Sequence, residues 1–269
     1  MIALKNISLL ISVAMLAACT TVPPTPQKSL TDLDRNKGYT VKHSTALDLE
    51  THTLRPLNES KDVLYAQNFG GGGVGLGLLL GPIGVAANIA MIKSQTDQDV
   101  EKLTTFKKIK SEALFSESAV ENKLDLKNSG LNVSPYIYLQ KTESNEGELK
   151  IVPAAAIYIE MSDAERTRRN RYVYQLDREF TLEQLASLSE TEVIKLQSDF
   201  KKSYSHLISF IKSESDSDNA EIKFDSKFIT PRLEFELSGK LINDSNGRVW
   251  VRLPDGVFSL TKKYFSPKS

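Results

Sequence analysis

Apolar positions recur along this chain in two rhythms, broken by one stretch with no rhythm at all. After Val193 come Leu196, Phe200, Tyr204, Leu207 and Ile211, at the steps of three and four that line one face of an α-helix. Ser189 with Glu192 fits the capping-box spacing just before that stripe, and Thr181 with Gln184 fits it for a shorter helix upstream. Val100, Leu103, Phe106, Ile109 or Lys110, Ala113 and Leu114 form a second stripe. It predicts helix from Asp97 to about Asp125, with a short helix over Ser116 to Leu124.

Strict alternation marks the strands. Val133, Ile137 and Leu139 share one face, as do Ile157, Ile159 and Met161, then Tyr172, Tyr174 and Leu176, then Leu233, Phe235 and Leu237. Pro135 interrupts the first of these, which implies an edge position or a strand start. Tyr39–Lys42, Asp62–Phe69 and Val257–Leu260 add strands, while Asn243–Gly247 and Pro254-Asp255-Gly256 read as turns. Leu149–Met161 and Arg171–Phe180 make an antiparallel pair joined by Ser162–Asn170. Arg166, Arg168, Arg169 and Arg171 crowd that connection. Their bland reading is a solvated hairpin tip, and the functional one an anion or partner contact. The order of elements predicts an α+β fold: an antiparallel or mixed sheet packed with a long amphipathic helix.

The stretch without rhythm runs from Val63 to Ile92 and carries no charge. It holds Gly70, Gly71, Gly72, Gly73, Gly75, Gly77, Gly81 and Gly84. Gly73, Gly77 and Gly81 are four apart, a spacing that lets two helices approach closely in a membrane. Two readings of the Gly-rich apolar segment 69–92 stay open. One is a glycine loop followed by a buried helix starting near Pro82, where proline suits a first turn. The other is a membrane-active or oligomerising element. The buried helix is favoured: four consecutive glycines disfavour a helix by about 1 kcal/mol each, Pro82 splits the run, and Asn88 sits in its apolar half. A phosphate-binding loop would need Lys and Ser or Thr after the last glycine of the motif, where Pro82 and Ile83 stand instead.

At the N-terminus, Met1–Asn6 carries Lys5, Ile7–Leu16 is apolar, and Leu16-Ala17-Ala18-Cys19 follows. That is the layout of a secretory signal. Its ending resembles the lipobox of bacterial lipoproteins, and the resemblance covers residues 1–21. It implies that residues 1–18 are removed and that Cys19 receives a diacylglycerol and a further acyl chain on its new amino group. Thr20 and Thr21, with no aspartate at the sorting position, imply the outer membrane. Several acyl chains make a durable anchor. Residues 19–38, with Pro23, Pro24 and Pro26, then read as lipidated N-terminus and flexible tether, reaching on the order of 50–60 Å if fully extended. Residues 39–269 read as one periplasmic domain. Its element order is similar to that of accessory envelope lipoproteins, such as the curli-secretion and transporter-associated ones, without a shared motif.

Candidate chemistry is sparse. Thirty-four basic residues balance thirty-four acidic ones, which gives no case for nucleic acid. Cys19 is the only cysteine, so no internal disulfide forms. His43, His52 and His206 lack metal-ligand spacing, and neither a Gly-x-Ser-x-Gly nor a His-Glu-x-x-His motif occurs. The chain therefore reads as no enzyme, with no cofactor and no metal. The expected function is that of a structural or interaction lipoprotein, held in the outer membrane through Cys19, facing the periplasm and binding another envelope protein. The alternative is a membrane-active or oligomerising pore or secretion-assembly lipoprotein that uses residues 70–92.

Overall fold

The computed structural model describes residues 25–43, 49–70, 73–144, 147–162, 167–216, 220–232 and 235–268. In chain order the elements are α1 (Asp32–Asn36), β1 (Tyr39–Val41), β2 (Leu54–Pro56), β3 (Val63–Ala66), α2 (Gly73–Lys102), α3 (Ser111–Glu121), β4 (Leu131–Glu143), β5 (Leu149–Ser162) and β6 (Thr167–Gln175). Then come α4 (Leu182–Ala186), α5 (Glu190–Ser213), β7 (Glu221–Asp225), β8 (Leu237–Ser245), β9 (Arg248–Leu253), β10 (Gly256–Thr261) and β11 (Ser266–Pro267). The strands form one mixed sheet in the order β11-β7-β8-β9-β10-β6-β5-β4-β3-β2, with β1 also on β4. Three pairings are parallel, β1·β4, β3·β4 and β6·β10, and the others are antiparallel. The fold is α+β, with a mixed sheet and a long amphipathic helix.

Strand β5 shows why the sheet is buried on both sides. Its odd positions, Ala155, Ile157, Ile159 and Met161, belong to the core beneath the helices. Its even positions, Val152, Ala154, Ala156 and Tyr158, belong to a second core on the opposite face. Helix α5 covers the first face with Leu196, Phe200, Tyr204, Leu207 and Ile211, the stripe read from the sequence. Each such side chain contributes about 1.5–3 kcal/mol when removed from water. Both predicted capping boxes form, Thr181 with Gln184 on α4 and Ser189 with Glu192 on α5. Phe115 of α3 meets Tyr204 edge-on at 5.7 Å, and the Tyr204 hydroxyl donates to the Tyr136 carbonyl at 2.8 Å.

Several expectations need correction. Pro135 lies inside β4, which has partners on both sides. The proline fits because β1 pairs with Leu131–Val133 and β3 with Ile137–Gln140. Its missing N–H falls opposite the gap between those two short strands. The helix expected over Asp97–Asp125 is broken: α2 ends at Lys102, a 3-10 turn holds Thr104–Lys108, and α3 starts at Ser111. Phe106 and Ile109 are buried within that break. Regular pairing in β8 starts only at Leu237, Phe235 ahead of it is exposed, and Leu233 lies outside the described residues.

The stretch read as a tether is also shorter than expected, because part of it is strapped to the body. The Gln27 N–H donates to the Leu253 carbonyl at 2.9 Å, and the Asn170 amide donates to the Lys28 carbonyl at 2.7 Å. The Ser29 N–H donates to Asp216 at 2.9 Å, and the Leu30 N–H to Glu214 at 3.1 Å. Leu30 itself joins the helix-side core. Buried Glu214 also accepts from the Tyr172 hydroxyl and pairs with Arg252 at 3.2 Å. The partners of Lys28, Ser29 and Leu30 are each more than 140 residues away in sequence, beyond the reach of local pattern reading.

Candidate functional site

Helix α2 provides the first candidate surface. Its C-terminal part is fastened to the sheet edge by polar groups. The Gln67 amide donates to the Ile92 carbonyl at 3.0 Å and to Thr96 at 2.5 Å. The Tyr65 hydroxyl donates to Asp99 at 2.6 Å, and Lys141 pairs with the same carboxylate at 2.7 Å. Arg55 holds Asp97 at 3.0 Å. Gly70 takes a left-handed conformation (φ 93°) that turns the chain into the helix. A Cβ at that position would come within 2.8 Å of the Gln95 Cβ.

Ahead of Ile92 this anchorage stops. Ile83 is 79 % exposed and Val85 48 %, and Ile89 and Met91 are also exposed. The expected buried helix from Ile83 to Ile92 is thus overturned: α2 begins at Gly73, runs through Pro82, and leaves Ile83, Val85, Ile89 and Met91 exposed. The physical reason lies in its composition. With apolar residues and glycines on every side, the segment has no core-facing stripe to lay on the sheet. At 1.5 Å per residue, the stretch from Gly73 to Met91 extends roughly 28 Å. Gly73, Gly77 and Gly81 fall on this arm, one helical turn apart. Exposed apolar surface of this kind marks interaction sites.

The second candidate is a cleft of about 420 Å³ on the face of the sheet away from the helices. Small residues make room for it. Across β4 and β5, Tyr136 stands opposite Ala156 and Tyr138 opposite Ala154. The Tyr138 and Tyr158 hydroxyls meet over the alanines at 3.0 Å. Arg171 enters from β6, in register with Tyr158. Its guanidinium carbon lies 5.1 Å from the Phe258 ring centre and 5.8 Å from those of Tyr138 and Tyr158. The Arg171 Nη1 reaches the exposed Asp255 carboxylate at 3.4 Å, and its buried Nε has no hydrogen-bond partner. Burial pushes the Tyr138 hydroxyl well above its ordinary range, so it stays protonated. Burial pulls Arg171 down, contacts with Asp255 and the Tyr158 hydroxyl pull the other way, and the guanidinium keeps its charge.

No protein-family model, curated protein or solved structure matches this chain.

The arginine cluster of the sequence therefore divides. Arg171 lines the cleft, Arg169 pairs with Glu160 at 3.3 Å, and Arg168 approaches Asp34 at 3.9 Å. Arg166 lies outside the described residues. The missed signal was parity: Arg171 alternates with Val173, so it shares that inward-facing position on β6. The three histidines do not converge. His43 lies 6.4 Å from the Tyr136 ring, the His52 carbonyl accepts from Thr96, and His206 stacks on Tyr174 at 5.1 Å. Among the described residues no group of three or more His, Cys, Asp or Glu could hold a metal, and no helix is long and apolar enough to cross a membrane. Cys19 and the rest of residues 1–24 lie outside the described residues.

Proposed function

We propose that this is an outer-membrane lipoprotein, anchored through Cys19 and facing the periplasm, that acts as an accessory interaction protein. Its partner contact is the apolar arm at the start of α2. The observation that carries this reading is the bare apolar helix standing off a body that buries apolar side chains on both faces of its sheet. The strap adds geometry. Only seven residues lie between Cys19 and Gln27, a span of at most about 29 Å, so the body sits close to the leaflet. Gln27 and Lys28 bind at Arg171 and Asn170, which register through β5 with Ser134 and Val133 near the start of β4. The arm leaves past Ala66 and Gln140, near the other end of that strand. It therefore extends from the end of the sheet opposite the anchored one, toward a partner rather than toward its own bilayer.

A photo-crosslinker at Val85 of the lipidated protein should capture a protein of the envelope. Ile83→Asp should abolish that adduct while leaving membrane attachment intact. Cys19→Ala should release the chain as a freely soluble periplasmic protein. Retention of Cys19→Ala in the bilayer after a high-salt wash would overturn the anchor, and adducts to lipid alone would overturn the arm. The spacing of Gly73, Gly77 and Gly81 supports a second reading, in which arms of several copies pack together as an oligomerising assembly. Adducts between copies of this chain would select it.

A further inference from the structure

We infer that the Arg171 cleft is a binding site for an amphiphile with a single negative head, a carboxylate or a phosphate, on an aliphatic body. The site is independent of the arm and of the lipid anchor.

Arg171 supplies the charge of the site. Its guanidinium is fenced by three aromatic rings, which cover its faces, while its buried Nε has no hydrogen-bond partner. The one carboxylate on the guanidinium's N–H edge, Asp255, makes a single long contact at 3.4 Å from an exposed turn. An incoming anion can take that place at shorter distance, with the fork geometry that arginine offers to carboxylate and phosphate. Tyr138 and Tyr158 stand beside it and bond each other at 3.0 Å, so whichever hydroxyl accepts in that bond has its own proton free to turn toward the anion. The Gln27 side chain, accepting from the Arg171 backbone at 2.7 Å, fixes the strand that presents the head group.

The walls supply the apolar half of the site. Leu54, Val173, Phe228, Ile229 and Phe258 line the cleft beyond the guanidinium. The volume lies within the range of sites that enclose a small organic ligand. A bare inorganic anion would leave those walls wet, and a neutral chain would leave Arg171 with its weak partner. Only a molecule with both parts uses both halves of the cleft.

The test is calorimetric titration of the full chain carrying Cys19→Ala with decanoate, decyl phosphate and decanol below their aggregation limits, and with acetate and inorganic phosphate. At least one of the two charged amphiphiles should bind, with decanol, acetate and inorganic phosphate each about tenfold weaker or more. Arg171→Gln should weaken the charged ligand about ten- to a hundredfold. Asp255→Asn, on an exposed turn where folding is not at stake, should tighten it by removing the competitor. The stronger of decanoate and decyl phosphate distinguishes a fatty-acid-like head from a phospholipid-like one. Equal binding of decanol, full binding by acetate or phosphate alone, an unchanged Arg171→Gln affinity in a folded variant, or no heat at about 1 mM overturns the assignment.

Discussion

Helices α5 and α2 have 24 and 30 residues, and they meet the rest of the molecule in opposite ways. Helix α5 has one apolar stripe and buries it. In α2 the fastened part is the polar one, held by Thr96, Asp97 and Asp99, and the apolar Ile83, Val85, Ile89 and Met91 are exposed. The difference teaches that hydrophobicity alone does not send a helix into its own core. A stripe gives a helix an inside and an outside, whereas an evenly apolar segment has no inside and is left for a contact beyond the fold.

The sharpest way to break that comparison is to cut the same kind of side chain from both helices. Phe200→Ala in α5 should lower unfolding free energy by about 3–5 kcal/mol in urea titration, because it opens a cavity in a closed core. Ile83→Ala on the arm should change it by less than about 0.5 kcal/mol. A large loss from Ile83→Ala would mean that the arm is packed within the molecule, and the proposed contact would fall with it.

Next in size is the strap. Arg252→Met leaves the Glu214 carboxyl buried without its cation and should lower stability by about 3 kcal/mol. The low end of the usual range is expected because burial already pushes Glu214 above its ordinary value, against Tyr172, the Leu30 N–H and Arg252. Protonation is therefore an accessible escape. Tyr65→Phe, at the fastening of α2, should lower stability by about 1 kcal/mol, since Asp99 keeps Lys141 and Gln95. Limited proteolysis should then cut α2 sooner than α5. Equal protection of the two helices would contradict the picture of α2 as a helix held at one end.

What could be read from the chain follows the same division. The stripe of α5, its capping box, the alternation in β4–β6 and the Asn246-Gly247 turn, with φ of 53° and 75°, are local relations, and they survive folding intact. The strap at Gln27–Leu30, the tolerance of Pro135 and the cleft around Arg171 depend on which strands lie side by side. Nothing within a short window of sequence carries that. Arg171 sat in a crowd of arginines whose ordinary fate is solvent; its parity with Val173 puts it on the cleft face, but Arg169 shares that parity, and only the pairing of strands separates the two. The arm was misread for a different reason: its glycines and Pro82 argue against a helix residue by residue, yet α2 runs through all of them.

The smallest expected effect separates the strap from the rest of the molecule by pH. The Glu214 carboxyl titrates above its ordinary 4.5, with burial as the leading cause. The folded state thus holds its proton more tightly than the unfolded chain does. The stabilisation from that proton is fully present below pH 4.5 and fades as pH rises through the folded value. Glu214→Gln keeps an oxygen to accept from Tyr172 and the Leu30 N–H but has nothing to titrate. Carboxylates such as Glu179, held below their ordinary value by Lys263 and Tyr264 against the opposing pull of burial, act in the opposite sense and are common to both proteins. They cancel in the difference. Stability of the wild-type chain relative to Glu214→Gln should therefore be greatest in acid and decline as pH rises past 4.5. A relative stability that climbs over that interval would mean that the pull of Arg252 outweighs burial and that the strap is closed by an ionised pair.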